Sequence, residues 1–196
     1  MRIVGGSAGG LILKVPRGLA VRPTPDLVKQ AIFNSLGTRV LDAEVLELFA
    51  GTGALSLECI SRGARLAVCV EKSPRHAACL RENWRRAGFE PEKLELRIQD
   101  VFAAIEPLLL AGRRFDLVLA DPPYGPKTRG PRSQSVAQQL LDHPWLPRLL
   151  RPGGRFILGH ARRDEVQVPC LWREVKMMRH GDSVVRFLEF QDTGAD

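Results

Sequence analysis

The sequence predicts an α/β protein built on a doubly wound sheet, closed by a terminal antiparallel hairpin and preceded by a small N-terminal extension. Three observations carry this. After the first 40 residues, short apolar β-rich runs alternate with helical stretches, as in a parallel sheet with crossover helices. From Trp172 to Phe190 the alternation stops, and "WREVKMMR", "HGDS" and "VVRFLEF" read as two strands joined by a turn. Residues 1–39 differ again, with two short β-like runs around the glycines of "MRIVGGSAGGLILKVP" and then a helical pattern.

That helix lies in "RPTPDLVKQAIFNSLG", with Thr24 as cap, Pro25 at the first helical position and Gly37 as the stop. Val28, Ala31, Ile32 and Ser35 or Leu36 form its docking face. The main-domain strands are expected at Glu44 to Leu48, Arg65 to Glu71, Leu94 to Gln99, Phe115 to Ala120 and Arg155 to His160. Helices are expected at Leu55 to Arg62, Pro74 to Ala87, Val101 to Ala111 and Ser135 to Leu141, several opened by Pro or by a Ser or Asp cap. The organisation is then an extension at 1–39, a main domain at 40–191 and a frayed tail at 192–196.

With 196 residues, 44% hydrophobic and 26% charged, the chain has the composition of one ordinary globular domain. No apolar run approaches the ~20 residues that span a bilayer, and "MRIVGG" lacks the apolar core of a signal peptide, so a cytoplasmic protein is expected. Cys59, Cys69, Cys79 and Cys170 include no Cys-x-x-Cys pair and no His partner at ligand spacing. Free, mostly buried thiols and no metal follow.

The net charge is +7, and residues 1–39 hold six cations (Arg2, Lys14, Arg17, Arg22, Lys29, Arg39) against Asp26 alone, a net +5. The loop from Pro126 to Ser133 adds Lys127, Arg129 and Arg132 without an acid. Either segment alone reads as a solvated surface. Together they flank one candidate active corner and favour a nucleic-acid partner.

"VLELFAGTGALSLE" puts Gly51 and Gly53 between a strand end and a helix, where ligands approach the backbone in an open parallel sheet. The third position of the dinucleotide fingerprint is Ser56, which weakens a pyrophosphate reading. Glu71, twenty residues after Gly51, ends the next strand and suits two ribose hydroxyls. Asp100 ends the third strand, where it either accepts from an adenine amino group or caps the helix starting at Val101. With Glu47 and Asp121, these acids form a rim suited to the sulfonium of S-adenosylmethionine rather than to a phosphate, although Glu47 also reads as an ordinary strand residue. Phe49, Lys72 and Val101, beside them, complete the expected cofactor set.

The fourth strand ends in Asp121-Pro122-Pro123-Tyr124, which contains the protein's only tyrosine. Two prolines fix the backbone of this corner, and a bare Pro-Pro would be no more than a stiff turn. With an acid before it and an aromatic after it, the corner suits a planar amine. Asp121 and the Pro122 carbonyl would accept the two N–H hydrogens, and Tyr124 would stack on an unstacked base.

A parallel sheet closed by a terminal antiparallel hairpin resembles the topology of class I S-adenosylmethionine-dependent methyltransferases. "MRIVGG", "RPTPDLVKQAIFNSL", "VLELFAGTGALSLECISRGA", "VEKS" and "LVLADPPYG", in order over nearly the whole chain, resemble the RsmD-type 16S rRNA (guanine-N2) methyltransferases of bacteria. The resemblance implies methyl transfer to the N2 amine of a guanosine in small-subunit rRNA, presented on an assembling particle. Gly51, Gly53, Glu71 and Asp100 would bind the cofactor and Asp121 through Tyr124 the base, and a monomer is expected. Because "SAGGLILK" is nearly uncharged, phosphate binding would fall to Arg17, Arg22, Lys29, Lys127, Arg129 and Arg132. An adenine-N6 methyltransferase on DNA or RNA remains the alternative within this chemistry. Outside it stand an NAD-dependent oxidoreductase, disfavoured by Ser56 and the hairpin, and an RNA-binding assembly factor without catalysis.

Overall fold

A computed structural model describes residues 1–16, 25–123 and 133–191. The chain forms two compact units, Met1–Ala104 and Ile105–Asp196. Among the described residues the first unit holds three strands, at Glu44–Leu48 (β1), Leu66–Glu71 (β2) and Leu94–Ile98 (β3) in the order β3-β2-β1, and the second holds four, at Phe115–Ala120 (β4), Leu150–Ala161 (β5), Trp172–His180 (β6) and Ser183–Phe190 (β7) in the order β4-β5-β7-β6.

In the first unit the N-terminal run folds back on itself through one antiparallel bridge, Arg2 to Ile12, with Ile3 N–H donating to the Leu11 carbonyl at 2.9 Å. Ile3 and Leu13 are buried, which pins this hairpin to the unit. Helix α1 (Asp26–Leu36) follows, then a short 3-10 turn at Gly37–Val40. Pro25 precedes α1 with an extended ψ of 146°, so the helix begins one residue later than its proline suggests, and Thr24 lies outside the described residues. The buried face of α1 is Val28, Lys29, Ile32, Phe33 and Leu36. Phe33 and Lys29 thus replace Ala31 and Ser35 on that face, because the larger side chains fill more of the interior.

Strand β1 (Glu44–Leu48) pairs in parallel with β2 (Leu66–Glu71), and β2 pairs with β3 (Leu94–Ile98). Between β1 and β2 runs α2 (Ala54–Ser61), buried from Leu55 to Ser61 on every side. Between β2 and β3 runs α3 (Pro74–Arg86), whose cap Ser73 accepts from His76 N–H at 3.3 Å with Pro74 in the first turn. Helix α4 (Val101–Leu110) follows β3.

In the second unit β4 (Phe115–Ala120) pairs in parallel with β5 (Leu150–Ala161), and α5 (Val136–Asp142) connects them under a Ser135 cap. Strand β5 starts five residues earlier than its sequence suggests. Leu150 pairs with Phe115, and the register then jumps so that Arg155 meets Leu117. The turn-like Pro152-Gly153-Gly154 is taken up as an irregularity inside the strand rather than before it. Strands β6 (Trp172–His180) and β7 (Ser183–Phe190) form the expected antiparallel hairpin, with β7 against β5. Among the described residues no helix is long and apolar enough to cross a membrane.

Candidate active site

The glycine turn is assembled from below by a carboxylate. Glu47, buried on β1, accepts from the amides of Leu55 at 3.3 Å and Ser56 at 3.0 Å, so it ties the first turn of α2 to the strand. Phe49 between them takes φ +57°, a left-handed conformation that costs a bulky residue about 1–3 kcal/mol and gathers at functional corners. Its ring meets Phe102 of α4 edge to face at 6.3 Å. Gly53 sits at φ +80°, and a Cβ there would lie 2.8 Å from Leu80 of α3, so only glycine fits. A Cβ on Gly51 would meet nothing closer than 3.9 Å, which leaves the main chain of that turn open to a ligand.

Glu71 closes the turn from β2. One oxygen accepts Gly51 N–H at 2.7 Å and the other accepts Ser73 N–H at 2.7 Å, with His76 Nδ1 at 3.5 Å. A carboxylate offers about four acceptor positions, so capacity remains on each oxygen for a ribose hydroxyl. Asp100 caps α4 through Phe102 N–H at 3.0 Å, while its second oxygen stands 3.4 Å from Lys72 Nζ at the surface. Capping and nucleoside recognition are therefore compatible at Asp100, because they use different oxygens.

These bonds decide what kind of group the turn can take. The amides of Gly51, Leu55 and Ser56 are spent on carboxylates, and that of Gly53 donates to the Ala50 carbonyl at 2.8 Å. A pyrophosphate arriving there would find these amides already committed and the Glu71 carboxylate beside them, whereas a neutral ribose or a cationic sulfonium would not be repelled.

The Asp121 corner ends β4 in the second unit. Asp121 is half-buried, Pro122 buried and Pro123 exposed, and Tyr124 lies outside the described residues. Gly159 on β5 is what admits the Asp121 side chain, since a Cβ there would come within 2.6 Å of Asp121 Oδ1.

The family model described as Conserved hypothetical protein 95 matches residues 1–189. Ribosomal RNA small subunit methyltransferase D of Escherichia coli (strain K12) is 34% identical over 148 residues, 74% of this chain and 69% of that one. The chain belongs to the RsmD-type family. Its Haemophilus influenzae relative of the same name is 32% identical over 176 residues, covering 90% of this chain and 86% of the other. The solved structure of yhhF from Escherichia coli, described as a methyltransferase, superposes with a TM-score of 0.74 at 27% identity, covering 97% of this chain and 99% of that one. The fold of the RsmD-type chain is accordingly the class I methyltransferase fold.

Two expected site residues are corrected by the geometry. Glu47 is not part of an open acidic rim: it is 3% exposed and both its oxygens hold α2, so its role is to build the turn. Lys29 does not face RNA. It is fully buried, its ammonium 3.6 Å from Glu58 and donating to the Arg2 carbonyl, because its position on α1 falls on the apolar face. Burial lowers its pKa, against the pull of Glu58 and Asp26.

Arg2 and Lys14 form surface ion pairs, with Asp26 at 3.1 Å and Glu82 at 3.0 Å, and both cations stay exposed. Arg17, Arg22, Lys127, Arg129 and Arg132 fall outside the described residues. Val101 is buried and Lys72 exposed. Sequence reasoning passed over Gly159, signalled only by a glycine within an apolar strand, and Asn83, a polar residue at a buried helix position.

Proposed function

We propose that this chain uses S-adenosylmethionine to methylate the N2 amine of a guanosine in 16S rRNA. The single observation that carries the reading is the match of nearly the whole chain to a family whose relatives are named small-subunit rRNA methyltransferases. Two features of the site support it. The glycine turn spends its amides on acids and so suits a cationic nucleoside cofactor rather than a dinucleotide. The second is an acid fixed before two prolines at the end of β4.

Gly51, Glu71 and Asp100 would hold the nucleoside, through main-chain contact, ribose hydroxyls and the adenine amine respectively. When bound, the cofactor supplies an electrophilic methyl carbon on a sulfonium, which leaves as a neutral thioether. A guanine N2 lone pair is delocalised into the ring, and Asp121 with the Pro122 carbonyl would orient it by accepting both N–H hydrogens. Asp121 would also be placed to take one of those protons as the amine is methylated.

The test is to incubate the protein with methyl-labelled S-adenosylmethionine and unmodified small-subunit rRNA, free or in particles, then digest to nucleosides. Label in N2-methylguanosine is expected, and label in N6-methyladenosine or in no nucleoside overturns the reading. Asp121→Ala should lower transfer about 10²- to 10⁴-fold with cofactor affinity nearly unchanged. Loss of cofactor affinity in that variant would assign Asp121 to cofactor binding instead.

A further inference from the structure

Asn83 lies on α3, fully buried, and touches two segments far apart in sequence. Its Oδ1 accepts Lys14 N–H at 2.7 Å, and its Nδ2 donates to the Lys14 carbonyl at 3.0 Å. The same Nδ2 donates to the Thr52 carbonyl at 3.2 Å. A side-chain amide has two donor hydrogens, so both are committed, one to the N-terminal strand and one to the glycine turn.

The surrounding face of α3 reinforces both ends. Cys79 Sγ donates to the Lys14 carbonyl at 3.1 Å and Arg86 to the Ile12 carbonyl at 2.9 Å, while Leu80 fills the space beneath Gly53. Thr52, between the two glycines, is itself buried. Moving the main chain at Lys14 relative to Thr52 would leave a buried donor or acceptor without its partner, a cost comparable to losing a hydrogen bond outright.

We propose that Asn83 is a positioning residue that couples occupancy of the cofactor turn to the N-terminal strand, an inference that rests on the cofactor reading above. A ligand that fixes the Gly51-Thr52-Gly53 turn fixes the acceptor of one amide hydrogen, and the rigid amide transmits this to both polar atoms of Lys14. The strand is thereby locked three residues before Arg17, the first of two arginines through which the chain leads on to α1. Coupling of this kind is reciprocal, so whatever steadies the strand also strengthens cofactor binding.

The test reads amide exchange at Lys14 by NMR, with and without saturating S-adenosylhomocysteine, after binding is confirmed by calorimetry. In the unaltered protein the ligand should slow Lys14 exchange about fivefold or more, the low end of coupling between sites. Asn83→Asp keeps the acceptor for Lys14 N–H but removes both donors, and should abolish the ligand response. Faster exchange in that variant with the response intact would overturn the coupling and leave Asn83 a structural bond only. Ligand binding without any change at Lys14 in the unaltered protein would overturn it as well, and decides the matter even if the variant does not fold. Absence of ligand binding would instead overturn the cofactor reading on which the coupling stands.

Discussion

At the scale of single residues the decisive facts concern buried polar groups. Glu58 is fully buried and holds Val4 N–H at 2.7 Å, Arg62 Nε at 2.7 Å and the Lys29 ammonium at 3.6 Å. Glu58→Ala leaves the buried Lys29 charge only the more distant Asp26 carboxylate at 3.9 Å and should destabilise by about 3–5 kcal/mol in urea unfolding. Lys29→Met should cost clearly less, since Glu58 keeps Arg62 and the Val4 amide. Equal costs would show that Lys29 is the dominant partner. Gly159→Ala should lower methyl transfer by about 10²-fold, because the added methyl displaces Asp121 from its place over β5, and kinetics on unmodified rRNA checks it. Neither Glu58 nor Gly159 stood out in the sequence. A buried glutamate looks like any helix glutamate until its partners arrive from residues 4 and 29, and a strand glycine gains meaning only from the acid that lies across it.

At the scale of elements, the N-terminal hairpin has one antiparallel bridge, a few main-chain bonds of its own such as Leu13 N–H to the Met1 carbonyl at 3.1 Å, and side-chain ties to α1, α2 and α3. Ser61 is one of its polar anchors, with Oγ donating to the Gly5 carbonyl at 2.6 Å and accepting Ala8 N–H at 2.9 Å. Ser61→Ala should cost about 1–2 kcal/mol and expose residues 1–16 to protease before the rest of the unit unfolds, read by limited proteolysis. The elements themselves were legible, and β1 and β4 fall on their expected residues. Periodicity works there because a strand buried on both faces writes a largely apolar run, broken here only by Glu44 and Glu47 in β1 and by Asp116 in β4. It fails at the start of β5, where Pro and Gly write a turn into the sequence and only pairing with β4 shows that the strand continues through it.

At the scale of the whole molecule, the first unit carries the glycine turn and the second the Asp121 corner and the closing hairpin. A ligand that binds only the folded protein stabilises it by mass action. S-adenosylhomocysteine at 100 times its Kd should add about 2.7 kcal/mol, a rise in Tm of about 5–10 °C for a chain of this length, measured by calorimetry. Glu71→Ala should remove most of that rise, and an undiminished rise would take Glu71 out of the site. The sequence by itself determined the α/β class and the order of strand ends, which follow from local periodicity, and its short motifs carried the resemblance that implied the methyltransferase family. Only the tertiary structure decided which acids build the turn and which remain able to meet a ligand, and which cations are buried. Those properties depend on groups brought together from distant parts of the chain, where burial and committed hydrogen bonds outweigh the charge a residue carries in isolation.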